Sequence, residues 1–322
     1  MELSLYKYMA NNPNPAVDSI KAVINEDGFK TYAVRFDVND KGENFYDLDS
    51  FVNALIYELP DFSYGGEFWK NVEPANSVNL VSEAAKAIYQ IPEFNKVKEV
   101  YDTGGCIEDT VDDSLLRRGE FGELILFFLL KNFNGTVPLL SKIYFKDSDG
   151  STVHGFDAVH YHEDSSSLWL GESKIYENSK AGLKSLIEDT KKHVISEYLK
   201  REFVLVGKKF KLAGSISDNK RDKILDLLNP ENSLENKIKN IYLPLLCTFP
   251  CNAFSSYDTE CKEFIDAYKA EMVELKKYFD DNNDHPLKDK LNIILLLMPV
   301  KSKKELIVEL HKRLFHAQSI IK

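Results

Sequence analysis

Two short stretches near the middle of the chain, residues 155–161 and 168–174, carry isolated charged side chains among apolar positions and are predicted to be strands. The segment between them is short and polar, which is typical of the turn of a β-hairpin. Because successive side chains of a strand point to opposite faces, Glu172 and Lys174 share one face of the second strand. Antiparallel pairing then sets Asp157 opposite the neighbourhood of Glu172, where facing Cβ atoms lie roughly 5 Å apart. The pattern therefore predicts that two carboxylates and an ammonium meet at one spot.

A buried helix is predicted immediately before this hairpin, over about residues 113–131, because the stretch 124–130 within it is wholly apolar. Glu120 and Glu123 interrupt the pattern near the start of the helix. A carboxylate on a core-facing helix is costly unless it is paired or binds a cation, whereas a solvated glutamate in a first turn is favoured by the helix dipole. A solvated position in the first turn fits Glu120 better than Glu123. Glu123 is therefore predicted to face the hairpin site, with Glu120 at most supporting it from behind.

The remaining apolar periodicity predicts an α/β chain in which strands and helices alternate. The run 293–298 is continuously apolar and is predicted to be a strand buried on both faces, closed by Pro299. The other predicted strands are 31–38, 137–145 and 241–249. The other predicted helices are 51–59, which Pro60 ends, then 78–89, 181–198, 261–279 and 303–315.

Residues 1–110 contain no catalytic constellation, and we expect an N-terminal α+β region there that serves as scaffold or partner-binding surface. Residues 111–322 contain the hairpin and are expected to form the second domain. No stretch of about 18 apolar residues occurs, and the chain does not start with a basic region followed by a long apolar run. The four cysteines are too few and too scattered for a disulfide framework. We therefore expect a soluble cytoplasmic protein with reduced thiols and no membrane partner.

The charge of the chain is unfavourable for direct attraction to nucleic acid, since 41 Lys and Arg against 51 Asp and Glu give a net charge of −10. The balance turns basic only locally, across residues 184–223. Lys191 and Lys192 in this stretch are candidate DNA contacts. An ordinary solvated helix face explains the same residues equally well.

Asp157, Glu172 and Lys174 together match the needs of a metal-dependent phosphodiesterase. Hard carboxylate oxygens hold Mg²⁺, for which Mn²⁺ commonly substitutes, and the cation activates water and stabilises charge on the scissile phosphate. The lysine orients the nucleophile or supports the charged transition state, and Glu123 can add a ligand. The alternative is a cross-strand salt bridge between Lys174 and the carboxylates on a solvated sheet face, which needs no function.

Two other groups of residues are candidate metal ligands. His154, His160 and His162 have the parity opposite to Asp157, so they share the other strand face, where they either bind a transition metal or form a partly exposed surface. Cys247 and Cys251 lack a second Cys or His pair at zinc spacing and are predicted to be buried thiols.

The order of these elements, a glutamate-bearing helix, strands with Asp and Glu-x-Lys, a helix and a strand, resembles the core of the PD-(D/E)XK nuclease superfamily. The stretch 118–123 (RGEFGE) resembles the helix that supplies an additional glutamate there. Residues 155–161 (GFDAVHY) and 168–174 (LWLGESK) are more specifically similar to the HamA family of the Hachiman anti-phage defence system. Phe156 stands where the superfamily's name has proline. The resemblance covers about residues 116–198.

The resemblance implies a restriction-endonuclease-like core, a mixed central sheet flanked by helices, with the N-terminal α+β region as an extension. It also implies a Mg²⁺-dependent deoxyribonuclease that works beside the helicase HamB and degrades DNA once infection activates the complex. The site would consist of Glu123, Asp157, Glu172 and Lys174. The alternative is a catalytically silent subunit that binds nucleic acid or the partner and regulates the helicase.

Overall fold

The computed structural model describes residues 15–64, 77–89, 92–105, 119–141, 155–212 and 218–319. Strands in these ranges are β1 Ile20–Glu26, β2 Phe29–Val34, β3 Phe36–Val38, β4 Asn44–Tyr46, β5 Thr136–Ser141, β6 Ala158–His162, β7 Ser167–Ile175, β8 Ile241–Pro250 and β9 Asn292–Val300. Helices of the N-terminal half are α1 Leu48–Tyr57, α2 Leu59–Tyr64, α3 Ser77–Tyr89, α4 Pro92–Asp102 and α5 Glu120–Phe133. Those that follow are α6 Ser179–His193, α7 Ser196–Leu212, α8 Asp218–Leu227, α9 Leu234–Lys239, α10 Asn252–Ser256, α11 Lys262–Asn282 and α12 Lys303–Ser319.

One mixed sheet of seven strands organises the described part of the chain, in the order β1-β2-β9-β8-β7-β6-β5. The four central strands β2, β9, β8 and β7 are parallel, and antiparallel pairs complete both edges. Strands β3 and β4 form a separate two-stranded ribbon. The fold is thus mixed α/β, with a central sheet flanked by helices as predicted.

The two faces of the sheet are covered by different helices, so successive residues of β7 face different helices. On one face Leu246 and Leu296 pack in a cluster with α1, α5 and α12. On the other face Leu245 and Cys247 pack with α6 and α11. Because β8 and β9 are buried on both faces, their sequences are nearly continuous apolar runs.

The N-terminal region contributes to this same sheet, since β2 pairs in parallel with β9 from the other end of the chain. Such a pairing joins residues far apart in sequence and leaves no local sequence signal. The predicted division of the chain at residue 110 stays a prediction. Within the described residues, no helix combines the length and apolar character needed to cross a membrane.

Several predicted boundaries are wrong. Helix α5 begins at Glu120, with Gly119 as its N-cap, because glycine favours helix ends over helix interiors, and the predicted helical residues 113–118 lie outside the described part of the chain. Pro60 does not stop the chain from being helical: it lies at the start of α2, where its missing N–H is harmless. Strand β9 includes Pro299 and ends at Val300.

The predicted helix 181–198 is two helices, α6 and α7, separated at Val194 and Ile195. Val194 is the C-cap of α6, and its N–H donates to the carbonyl of Thr190. Two consecutive β-branched residues are poor helix formers, which favours a break at this point. The predicted strand 31–38 is likewise interrupted, at Arg35, between β2 and β3. Helix α11 continues to Asn282, past the predicted end at residue 279.

Candidate functional site

The candidate site lies on the hairpin of β6 and β7, whose predicted register is confirmed. Ala158 pairs with Gly171, so Asp157, which directly precedes β6, lies in the neighbourhood of Glu172. The N–H of Asp157 donates to the carbonyl of Gly171 at 2.8 Å, one residue out of register with the ladder. Glu172 and Lys174 share one face of β7 by strand alternation, and Asp157 lies close enough to both for its charge to raise their pKa values.

Asp157 is fixed to the neighbouring strand by its own side chain. Its Oδ2 accepts hydrogen bonds from the backbone N–H and from the hydroxyl of Ser173, both at 2.9 Å. The side chain is 8% exposed. Ser173 stands between Glu172 and Lys174, so these two bonds hold the Asp157 carboxylate beside both of them.

Glu172 is a buried carboxyl with one hydrogen-bond partner from α6. It is 3% exposed, and its Oε1 accepts from Nδ1 of His193 at 2.6 Å. Burial and the negative charge of Asp157 raise the pKa of Glu172 to about 7, against the opposing effects of His193 and Lys174. This carboxyl is therefore in a position where a bound cation would lower its pKa and stabilise its charge.

Lys174 forms an ion pair with a residue outside the hairpin motif. Its Nζ lies 2.7 Å from Oδ2 of Asp189 on α6. Burial alone would lower the pKa of Lys174. The bond to Asp189 and the charges of Asp157, Asp189 and Glu172 outweigh this effect, so the pKa lies above its ordinary value. The side chain is thus an ammonium held close to the two strand carboxylates.

The last turn of α6 supplies the ring that contacts Glu172. His193 stacks on Tyr198 with centroids 4.5 Å apart, and its other neighbour is Phe156, whose ring lies edge-on at 5.6 Å. Burial lowers the pKa of His193, but the bond to Glu172 and the nearby carboxylates raise it above its usual value. The imidazole is therefore confined on two sides and is paired with a carboxylate.

Glu123 lies in α5, which covers the opposite face of β7. A Cβ atom on Gly122 would be 3.0 Å from the hydroxyl of Ser173, so α5 approaches the strand very closely at this point. Glu123 is 6% exposed, in accord with its predicted burial, whereas Glu120 is half-buried in the first helical turn. Glu123 is thus a buried carboxyl next to the closest approach of α5 to β7, and its role as a ligand stays a prediction.

The predicted DNA contacts lie near the site but have acidic neighbours. Lys191 is paired with Asp284, and Nζ of Lys192 lies 3.4 Å from Oδ1 of Asp189. Lys192 keeps most of its side chain exposed. Their role in DNA binding stays a prediction.

The residues of the site fit Mg²⁺ better than a transition metal. Within the described residues, no group of three or more His, Cys, Asp or Glu side chains is arranged to hold a metal ion. Mg²⁺ is commonly bound by one or two carboxylates, with water and substrate phosphate completing its shell. Asp157 and Glu172 are both buried, and they lie close enough for the charge of Asp157 to raise the pKa of Glu172. Asp157 and Glu172 are the pair that would hold the ion.

Sequence reasoning missed Asp189, His193 and Glu202. The sequence predicted one helix over 181–198, so the end of α6 at His193 was not anticipated. Glu202 on α7 is 5% exposed, and its Oε2 is 2.8 Å from the position of a Cβ on Gly155. The missing side chain of this glycine, two residues before Asp157, leaves the space that the carboxylate occupies. No local pattern indicates such a contact.

The predicted exposed histidine face is wrong for His160, which is fully buried beneath α5. Its Nδ1 donates to the hydroxyl of Thr136 at 2.8 Å, because that hydroxyl donates in turn to the carbonyl of Leu130. Burial lowers the pKa of His160 to about 3, so the ring is neutral. His162 bonds to Ser165, and His154 lies outside the described residues. The histidine metal site therefore has no support here.

Cys247 and Cys251 are buried free thiols, as predicted. Burial raises the pKa of both thiols to about 12, so neither is a thiolate near neutral pH.

A comparison with protein-family models identifies the family to which the chain belongs. Residues 16–314 match the family model named HamA, which covers nearly all of the 322 residues. No curated protein matches the chain. The match extends well beyond the site and includes β1, β2 and the C-terminal helices. The chain belongs to the HamA family, and so to the Hachiman anti-phage defence systems.

Proposed function

We propose that this chain is the Mg²⁺-dependent deoxyribonuclease of a Hachiman defence complex, with a PD-(D/E)XK-like catalytic core. The observation that carries the proposal is the juxtaposition of Asp157, Glu172 and Lys174 at the end of the β6–β7 hairpin away from its turn. The raised pKa of Glu172, which the charge of Asp157 helps to cause, supports it because strongly perturbed carboxyls are concentrated at functional sites.

Each residue has a chemical task in this proposal. Asp157 and Glu172 hold the cation, and Ser173 fixes the orientation of Asp157. A bound Mg²⁺ supplies Lewis acidity toward a phosphate oxygen and a water molecule. The Lys174 ammonium donates hydrogen bonds that orient the attacking water or stabilise charge developing on the phosphate. Burial of Asp157 and Glu172 and partial burial of Lys174 strengthen these interactions, because the local dielectric is low.

The net charge of −10 makes unaided DNA binding weak, so in this proposal the helicase partner HamB delivers the DNA. This arrangement would also keep the nuclease inactive until the helicase engages a suitable substrate.

The direct test is cleavage of plasmid DNA by the full chain together with its helicase partner, ATP and Mg²⁺. Asp157→Asn, Glu172→Gln and Lys174→Met should each lower the rate by about 10²-fold or more, since each removes charge stabilisation at a buried site. The matched controls are Asp164→Asn in the hairpin turn, Glu177→Gln after β7 and Lys184→Met on α6, all exposed. They should cut like wild type. Normal cleavage by folded Lys174→Met would refute the proposed chemistry.

The second candidate is a catalytically silent subunit that regulates the helicase. It is favoured by the ion pair of Lys174 with Asp189 and by the lack of a three-ligand group among the described side chains. Phage protection separates the two functions. A complex containing Asp157→Asn should fail to protect cells if the chain is a nuclease, and should protect them fully if it only regulates its partner.

A further inference from the structure

The last turn of α6 and the Glu-x-Lys of β7 match each other in spacing and in charge. Asp189 and His193 are four residues apart on a helix, a rise of about 6 Å, and Glu172 and Lys174 are two residues apart on a strand, about 6.6 Å. Asp189 pairs with Lys174, and His193 pairs with Glu172. The order of the partners is reversed, as it must be when the chain turns back from β7 into α6.

We propose that Asp189 and His193 are positioning residues of the active site, His193 for the Glu172 carboxylate and Asp189 for the Lys174 ammonium. The proposal rests on the proposed nuclease function. Both residues lie on the helix whose lysines, Lys191 and Lys192, are predicted to face DNA or solvent.

His193 has the geometry of a residue that orients a metal ligand. The 2.6 Å bond from Nδ1 reaches one oxygen of Glu172, so rotation of the carboxylate about its last bond is blocked and the second oxygen points elsewhere. Tyr198 and Phe156 confine the imidazole on two sides, which fixes the donor itself. Hydrogen bonds of this kind to metal ligands commonly contribute 10- to 100-fold in metal affinity or activity.

Asp189 restrains a side chain that would otherwise be mobile. Lysine has a flexible four-carbon stem, and a single 2.7 Å ion pair with a half-buried aspartate removes much of that freedom. Lys174 lies on the same face of β7 as Glu172, and both are held by the last turn of α6. Asp189 therefore holds the ammonium on the face of Glu172, which is the arrangement expected of a positioning residue.

The helix that carries both residues is itself fixed tightly to the sheet. A Cβ on Gly182 would lie 2.6 Å from Sγ of Cys247 and 3.3 Å from Cβ of Tyr176, so α6 approaches β8 as closely as a glycine allows. Asn178 caps the helix by accepting from the N–H of Ala181 at 2.9 Å. A rigidly docked helix can hold two side chains to the precision that a catalytic site needs.

The test combines Mn²⁺ affinity of the full chain, measured by titration calorimetry, with DNA cleavage by the chain and its helicase partner. His193→Phe keeps a ring between Tyr198 and Phe156 but has no donor, and it should weaken Mn²⁺ binding 10- to 100-fold. His193→Asn restores a donor close to the position of Nδ1 and should recover part of that loss. If His193 only filled space, His193→Phe should instead bind Mn²⁺ more tightly than His193→Asn.

Asp189→Asn should leave Mn²⁺ affinity within about twofold of wild type and lower the cleavage rate at saturating Mn²⁺ by about tenfold. Glu188→Gln, an exposed change on the adjacent residue, is its control and should cut like wild type. An inhibitory latch would instead make Asp189→Asn faster than wild type, which would overturn the assignment of Asp189. Equal Mn²⁺ affinity of His193→Phe and wild type would overturn the assignment of His193.

Failure of the proposed function gives a different result. Wild-type protein that binds Mn²⁺ but never cuts DNA would refute the nuclease, while the affinities of the His193 variants would still decide whether His193 orients Glu172. Wild-type protein that neither binds Mn²⁺ nor cuts would refute both proposals.

Discussion

The Asp157 carboxylate and Ser173 form two hydrogen bonds through a single oxygen, each 2.9 Å long, one with the backbone N–H and one with the hydroxyl. The hydroxyl has a helix directly behind it, since it would lie 3.0 Å from a Cβ on Gly122. Asp157 is thereby connected through Ser173 to α5, whereas Glu172 and Lys174 point to the other face of β7.

Ser173→Ala should weaken both folding and the site, because it removes a bond to a charged group that is buried. The free energy of unfolding should fall by about 1 to 3 kcal/mol, and Mn²⁺ affinity should fall several-fold. Denaturant titration and calorimetry measure the two effects. Ser167→Ala is the matched control, since Ser167 is also buried on β7 but bonds to Trp169 and Ser165. It should lose stability without losing Mn²⁺ affinity, and a similar loss of affinity in both variants would contradict the prediction.

Asp157→Asn should change how stability depends on pH. The folded pKa of Glu172 is about 7, above its ordinary value of 4.5, so the stability that Glu172 contributes is complete below pH 4.5 and is lost as pH rises through 7. Removing the charge of Asp157 lowers that pKa and reduces the loss. The unfolding free energy of Asp157→Asn relative to wild type should therefore rise by roughly 1 kcal/mol between pH 4.5 and 8. Asp164→Asn should show a constant difference over the same range.

Mn²⁺ should stabilise the wild-type chain, because a ligand that binds only the folded state adds RT ln(1 + [L]/Kd) to its stability. At a concentration 100 times the Kd, the gain is about 2.7 kcal/mol. The melting temperature should rise accordingly, and a chelator should reverse the rise. Glu172→Gln should abolish the shift and Glu177→Gln should keep it. An undiminished shift in Glu172→Gln would show that the ion binds elsewhere.

The hairpin was predictable from sequence because its signals are local. Alternation fixed which residues share a face, and a short polar turn fixed the register that pairs Ala158 with Gly171. Helix α5 was predictable for a related reason, since ten consecutive buried residues from Phe121 to Leu130 leave a long apolar run. Its first residue, Glu120, was not predicted, because the apolar pattern does not show that Gly119 is the N-cap.

The partners of the site could not be predicted, because they depend on how α6 and α7 dock. Val194 and Ile195 continue the apolar pattern across the break between these helices, so periodicity alone extended one helix through them. That extension concealed His193 at the end of α6. Glu202 is still less predictable, since its place depends on a glycine 47 positions earlier in the chain.

Two glycines that lie in helices should respond oppositely to substitution by alanine. Gly182→Ala puts a Cβ 2.6 Å from the sulfur of Cys247, so α6 must shift and the unfolding free energy should fall by about 1 to 3 kcal/mol. Gly207→Ala in α7 meets only Cβ of Leu228 at 4.0 Å and should gain about 0.5 to 1 kcal/mol through higher helix propensity. Denaturant titration measures both changes. Gly182→Ala should also slow DNA cleavage, since α6 carries Asp189 and His193, and the same sign of stability change in both variants would contradict the packing described.

Glu202→Gln should stabilise the protein at neutral and alkaline pH. Oε1 of Glu202 is buried without a hydrogen-bond partner among the described residues, and burial raises the pKa of this carboxyl although Arg201 and His193 lower it. A raised pKa means that stability is complete below the unfolded value and is lost as the carboxyl ionises with rising pH. The uncharged amide avoids that loss, so Glu202→Gln should gain about 1 kcal/mol at pH 8 and less at pH 4.5. Glu197→Gln, exposed one turn earlier on α7, is the control and should show no such trend. If Glu202→Gln instead lost stability at pH 8, the carboxylate would have to be held by a favourable contact, and its place beside Gly155 would then contribute to the site as a charge.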